Sequence, residues 1–279
     1  MTRSRGVIRD LPSAYGRQKR RAALLNSGTA FPERSILKES IINKCVAGLV
    51  ESLYPRRCPA CDGLTDKMGE LICDKCRNAF SAVRSPFCFM CGKEIGEETE
   101  EYCRDCRRNP KPFVRNYALF NYDETARASV MRFKNGGRRE YAGYYAGELL
   151  RRFGGEINKD NFDIIIPVPV TPAKKRDRGY NQAAILAKEI CRATGIPVRE
   201  DILIKTGDTV QQKELGRESR RRNLRGVFRS TMKLNRGIRI LLVDDVYTTG
   251  STLSACALAL MRAGASRPRS ATVFVGMRE

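Results

Sequence analysis

Two groups of residues in this 279-residue chain have the types and spacing to do chemistry. The first is a set of eight cysteines in four C-x2-C pairs: Cys58/Cys61, Cys73/Cys76, Cys88/Cys91 and Cys103/Cys106. Their first members follow one another at a constant step of 15 residues. Two thiolates three positions apart face one metal ion from a tight turn, and a second such turn completes a tetrahedron. Glycine stands just past the first and third pairs (Gly63, Gly92), where a turn needs it, and arginine past the second and fourth (Arg77, Arg107). That alternation favours two sequential four-cysteine Zn2+ sites and leaves a crossed arrangement open. Redox C-x-x-C motifs usually come once, opening a helix after a strand, so structural zinc is preferred. Closed tetrathiolate sites organise a fold and leave no position for a substrate. Cys45, Cys191 and Cys256 fall in helix-patterned segments and read as small buried apolar residues.

The second group is Ile240-Leu-Leu-Val-Asp-Asp-Val-Tyr-Thr-Thr-Gly-Ser-Thr-Leu253. An apolar strand ends in Asp244 and Asp245, then a hydroxyl-and-glycine turn opens a helix. In open α/β sheets ligands bind at the carboxyl ends of strands. Backbone N–H groups of Thr248, Thr249, Gly250, Ser251 and Thr252, aided by the helix N-terminus, can cradle a phosphate. The two aspartates can accept hydrogen bonds from a ribose diol. Carboxylates for sugar hydroxyls beside amides for phosphate describe a 5-phosphoribosyl site. Asp244 and Asp245 pointing into the protein interior, away from any open cleft, would end this reading. The Gly-Lys-Ser/Thr ending of a Walker loop is absent.

Charge points to the same kind of ligand. The chain has 52 Lys and Arg against 31 Asp and Glu, a net charge of +21, and no histidine. An anionic partner is implied, either nucleic acid or a phosphorylated small molecule. Without histidine there is no Ser-His-Asp triad and no His-ligated catalytic zinc. Residues 1–57 carry net +8, residues 58–108 net −2 and residues 109–279 net +15. Two tetrathiolate zinc sites would make the cysteine module more negative still. The positive footprint therefore belongs to the C-terminal domain and the N-terminal arm, not to the ribbon.

Four segments must position these groups. Residues 1–34 read as a flexible basic arm, and residues 35–57 as an amphipathic helix with Leu37, Ile41, Cys45, Leu49 and Leu53 on one stripe. Residues 58–108 form the cysteine module, followed by a stiff Asn109-Pro-Lys-Pro112 link. Over 113–279 strands are expected at 117–122, 162–166, 196–199, 238–243 and 271–276. Helices are expected after Asp123, through Tyr141 to Phe153, from 181 to 193 and from 252 to 263, with a long basic loop through 226. Alternating strands and helices predict a mainly parallel sheet with helices on both faces. No apolar run approaches the roughly 18 residues of a membrane span, and the N-terminus has no apolar signal core, so a cytoplasmic protein is expected.

The 240–253 stretch resembles the phosphoribosyl pyrophosphate (PRPP) motif of type I phosphoribosyltransferases. With the four knuckles, Arg132-Phe-Lys134, Pro167-Val-Pro169, Arg178-Gly-Tyr-Asn-Gln182, Thr209 to Gln212 and Arg221-Arg-Asn223, the chain resembles the ComF family. The family usually has Phe where Tyr180 stands. The resemblance covers residues 53–276 and implies a double zinc ribbon joined to a type I phosphoribosyltransferase-like domain. It implies a role in DNA uptake during natural transformation, with competence-machinery proteins and single-stranded DNA as possible partners. It further implies Mg2+-dependent phosphoribosyl transfer. Asp244 and Asp245 would hold the ribose, Thr248 to Thr252 the 5-phosphate, and the loop with Val168, Pro169, Lys174, Arg176 and Arg178 the pyrophosphate. Arg217 and Lys205 would stabilise the departing pyrophosphate. The alternative is a single-stranded-DNA-binding protein whose PRPP site is regulatory or vestigial.

Overall fold

A computed structural model describes residues 56–65, 69–97, 99–206 and 226–277. The expected basic arm, most of the amphipathic helix including Cys45, and the basic loop with Arg217 lie outside these residues. The described residues belong to one compact unit running from Glu51 to Glu279.

A parallel four-stranded sheet is its frame, built from β1 (Asn116–Asn121), β2 (Ile164–Pro167), β5 (Ile240–Tyr247) and β6 (Arg269–Val275). Their order is β1-β6-β5-β2, with every pairing parallel. Strand β5 is therefore central, its apolar run buried on both faces as an internal parallel strand requires. Side chains alternate along it: Leu241 and Val243 enter one core, Ile240 and Leu242 the other.

The first face carries three helices: α2 (Glu124–Asn135), α3 (Tyr141–Asp160) and α5 (Gln182–Thr194). Asp123 caps α2 by accepting from the Ala126 N–H, and Asn181 caps α5 by accepting from the Ala183 N–H. Gly195 ends α5 in the left-handed region. The second face is covered by α6 (Ser251–Arg262) and an antiparallel hairpin, β3 (Leu203–Lys205) with β4 (Phe228–Ser230).

Three local expectations change. Residues 196–199 form only a single parallel bridge, Ile165 with Val198, because Pro197 has no N–H to donate and only its carbonyl can bond. Residues after Thr171 are helical rather than loop: α4 (Pro172–Arg178) starts with proline in its first turn and Thr171 as its cap. Strand β3 falls within the span expected as the long basic loop through 226, and β4, with which it pairs, lies just beyond that span.

The cysteine module, which includes α1 (Arg104–Arg108), clasps the β1 edge of the sheet. Ala82 bridges Phe120 antiparallel, the Val83 N–H donates to Leu119 O (3.0 Å), and the Asn121 N–H donates to Ser81 O (2.7 Å). Strand β1 thus has no bare edge along this stretch. Phe80 inserts into an aromatic cluster of Phe120, Tyr144, Tyr145 and Phe274 at centroid distances of 5.1–6.3 Å. Burial of such a ring contributes about 2–3 kcal/mol. At the third knuckle Gly92 (φ +77°) lies so close to β1 that a Cβ would stand 2.6 Å from Ala118 Cβ. At the first knuckle the left-handed residue is Asp62, not Gly63.

That first knuckle is tied to α2 and α3. Arg132 donates to Ala60 O (2.7 Å), Ser129 to Pro59 O, and Arg138 and Tyr141 to the Asp62 carboxylate. The Arg138 hydrogen bond holds the Asp62 carboxyl below its ordinary range. Its contribution is therefore full at neutral pH and lost as acid protonates it. Asp62→Ala is expected to cost about 2 kcal/mol and lower Tm by about 5 °C at neutral pH. The difference should shrink in thermal melts at low pH.

Candidate functional site

The eight cysteines gather into Cys58, Cys61, Cys73 and Cys76, and Cys88, Cys91, Cys103 and Cys106, the sulfurs of each group within 4.8 Å of one another. This is the sequential arrangement. A tetrahedron with Zn–S near 2.3 Å requires sulfurs about 3.8 Å apart. Cys61 and Cys73 Sγ are 3.8 Å apart, and Cys91 and Cys103 Sγ 3.7 Å. The donor set and spacing fit Zn2+. Hydrogen bonding from Cys103 pulls the Cys88 thiol far down, while its bond to Cys103 pushes Cys106 far up. Sulfurs packed this closely cannot all ionise unless a cation sits among them. The first group sits in the core that holds α2, α3 and α5, the second in the core that holds α6.

At the carboxyl end of the sheet, β5 runs on to Tyr247, so both aspartates lie inside the strand rather than beyond its tip. Period two then sends neighbouring side chains to opposite faces. Asp245 turns to the α2 face, where Lys134 Nζ lies 2.8 Å from Oδ2, although off the hydrogen-bonding direction. Asp244 turns to the α6 face, where its charge is felt by buried Cys256. The two are 8% and 4% exposed, so they are not a side-by-side pair open to solvent. Burial opposes the Lys134 charge, but Asp245 outweighs it and holds the ammonium pKa above its ordinary value. Burial, then the Asp245 charge, push the Asp244 carboxyl up to about 8, against the pull of Lys134.

This has a stability consequence. A carboxyl whose folded pKa is raised binds more protons folded than unfolded between about pH 4 and 8, so stability falls across that window as pH rises. Asp244→Asn is expected to raise the Tm of the ligand-free protein by several degrees at pH 8 and much less at pH 5. An equal effect at both pH values in thermal melts would refute this account.

Beyond Tyr247 the chain turns into α6. Gly250 is its N-cap at φ +73° and has no side chain with which to cap it. Thr248 is exposed; Thr249 and Ser251 share a hydroxyl hydrogen bond of 2.8 Å. The Ser251 N–H, first of α6, already donates to Thr249 Oγ1 (3.4 Å), whereas the glycine N-cap itself offers no side-chain acceptor to compete with an anion. Val168 donates its N–H to Val243 O and accepts from the Asn181 side chain, which fixes the loop after β2 beside β5. Pro169 follows in that loop. Lys174, Arg176 and Arg178 lie on α4, Arg178 bonding Gln182. Lys205 ends β3 with its ammonium 5.6 Å from the Phe228 ring centroid, on the α6 face with Asp244.

Two neighbours of the site were not singled out as site residues from sequence. Lys134 entered only as part of a resemblance, and its tie to Asp245 joins distant elements. Tyr247 is buried under Gly250 with its hydroxyl unpartnered. Its position in the 240–253 stretch, next to the glycine turn, was the available signal.

The architecture defines a class: a parallel α/β domain whose open edge is clasped by a double zinc ribbon. Residues 49–107 match the double zinc ribbon domain family. The DNA utilization protein YhgH of Salmonella typhi is 30% identical over 201 residues, 70% of this chain and 86% of that protein. Competence protein F of Haemophilus influenzae is 28% identical over 75% of this chain and 92% of its own. Competence protein ComFC of Bacillus subtilis is 26% identical over 71% and 81%. The chain belongs to this ComF family of competence and DNA utilization proteins. A purine phosphoribosyltransferase from Pyrococcus horikoshii overlaps at TM-score 0.30 and 16% identity, covering 47% of this chain and 83% of its own, too low to carry weight. Among the described residues no helix is long and apolar enough to cross a membrane.

Proposed function

We propose that the carboxyl end of β5 binds PRPP with Mg2+ and transfers its phosphoribosyl group to an acceptor, in the DNA handling for which the relatives are named. The observation that carries this reading is the left-handed glycine N-cap, Gly250, which starts α6 within the Thr248 to Thr252 turn at the tip of the central strand and brings no side-chain acceptor of its own. That turn would take the 5-phosphate, and Val168, Pro169, Lys174, Arg176 and Arg178 the pyrophosphate. Lys205, with Arg217, would offset the negative charge that grows on the leaving pyrophosphate. Mg2+ supplies charge neutralisation there, held mostly by pyrophosphate oxygens, ribose hydroxyls and water. The near burial of Asp244 and Asp245 makes the ribose half the more demanding one. A diol must reach them from the end of the strand and compete with Lys134 for Asp245.

The test is aimed at that half. Calorimetry with PRPP and Mg2+ should show binding that Asp244→Asn abolishes; wild-type protein that binds no PRPP would end the reading. A second reading, single-stranded DNA binding, is favoured by Lys174, Lys175 and Arg176, which make no ion pairs among the described residues. DNA affinity would then fall steeply with salt through counterion release and survive Asp244→Asn.

A further inference from the structure

The turn at the tip of β5 rests on one buried side chain that also belongs to the core of the second four-cysteine site. Tyr247 is 2% exposed and meets Phe113 edge to face, centroids 6.3 Å apart. Phe113, Tyr247, Cys88, Cys91 and Cys106 share one core. On its other side the Tyr247 ring lies against Gly250, where a Cβ would stand 2.2 Å from Oη and 2.5 Å from Cζ. The Tyr247 hydroxyl has no hydrogen-bond partner, so it is packing rather than a hydrogen bond that keeps the ring there.

A second contact joins the same two regions. Lys93, two residues after Cys91, brings its Nζ within 3.8 Å of where a Cβ on Gly276 would stand. That point is 3.7 Å from Thr248 Cα, and the Gly276 N–H donates to Tyr247 O (2.7 Å). Lys93 therefore reaches the Gly276 backbone, which is itself hydrogen-bonded to Tyr247.

We propose that the second four-cysteine site positions the 248–252 turn through Tyr247, so that zinc held there and an anion held at the turn stabilise each other. Tyr247 is a positioning residue in this scheme; it touches neither metal nor ligand. Linkage makes the effect reciprocal: whatever zinc does for anion affinity, the anion does for zinc retention. The ligand half rests on the PRPP reading above, whereas the positioning half does not.

The experiment uses zinc-loaded full-length protein as wild type, Tyr247→Phe and Tyr247→Leu. Two quantities are followed: amide hydrogen exchange across 248–253, and zinc release to 4-(2-pyridylazo)resorcinol. Tyr247→Leu is expected to speed exchange in the turn about tenfold and to speed release of one of the two zinc equivalents. Tyr247→Phe, which keeps the ring, should do neither. In wild type, PRPP with Mg2+ should raise the affinity for that same equivalent several-fold in equilibrium competition with the same chelator. Unchanged exchange in Tyr247→Leu overturns the proposal, as does uniform acceleration of every amide and both equivalents. PRPP that binds yet leaves the affinity for both equivalents unchanged overturns the linkage. Absence of PRPP binding removes the ligand reading alone, and the Tyr247 variants still decide the positioning half.

Discussion

Gly250→Ala is expected to lower Tm by about 8 °C and to abolish PRPP binding at the β5 turn. The backbone there has φ +73°, which costs an L residue about 1 kcal/mol. The added methyl would also stand 2.2–2.7 Å from three atoms of the Tyr247 side chain. Overpacking a closed core adds about 2 kcal/mol, for a total near 3 kcal/mol. Gly195→Ala is the control: φ is +71° and a Cβ there meets nothing within 4 Å. It should show the conformational cost alone, about 1 kcal/mol. If the two variants melt together, Tyr247 does not press on the turn as described.

Removing zinc is expected to have the largest effect of all. Structural zinc contributes about 10–16 kcal/mol in isolated fingers, as much as or more than the roughly 5–15 kcal/mol that holds a typical domain together. Here the two sites lie in the cores on either face of the sheet, and the segment between them covers β1. A chelator at neutral pH should abolish the cooperative melt, and light scattering should rise as the uncovered edge pairs between molecules. Zinc added back before scattering develops should restore the melt. An apo protein melting within a few degrees of the loaded form would show that sheet and helices stand without the clasp.

Much of this frame was legible because each signal is local. The 15-residue step of the knuckles, Asp123 and Asn181 as helix caps and Gly195 as a helix end all act within a few residues. Strands β1, β5 and β6 announce themselves by apolar content. What escaped depends on partners far away in sequence. The β3–β4 hairpin joins residues about 25 apart in sequence across a long basic segment. Helix α4 falls where a Pro-rich loop is expected, although Thr171 followed by Pro172 is a helix start.

The aspartates are the instructive case. Strand period two already places Asp244 and Asp245 on opposite faces, yet their adjacency invited treatment as a unit. No periodicity could have supplied Lys134, which reaches Asp245 from α2. Nor could it show that Tyr247 stands between a zinc core and a helix start.

The strand order has one more consequence. Strand β1 pairs with β6, about 150 residues later in the chain, and within the sheet it has no other neighbour. On a ribosome, everything from the first knuckle to α5 emerges before the strand that β1 must join has been made. A message truncated before Arg269 would thus yield a polypeptide whose ribbon is complete but whose sheet lacks its link to β1. In such a product β1 would stand without its partner in the sheet.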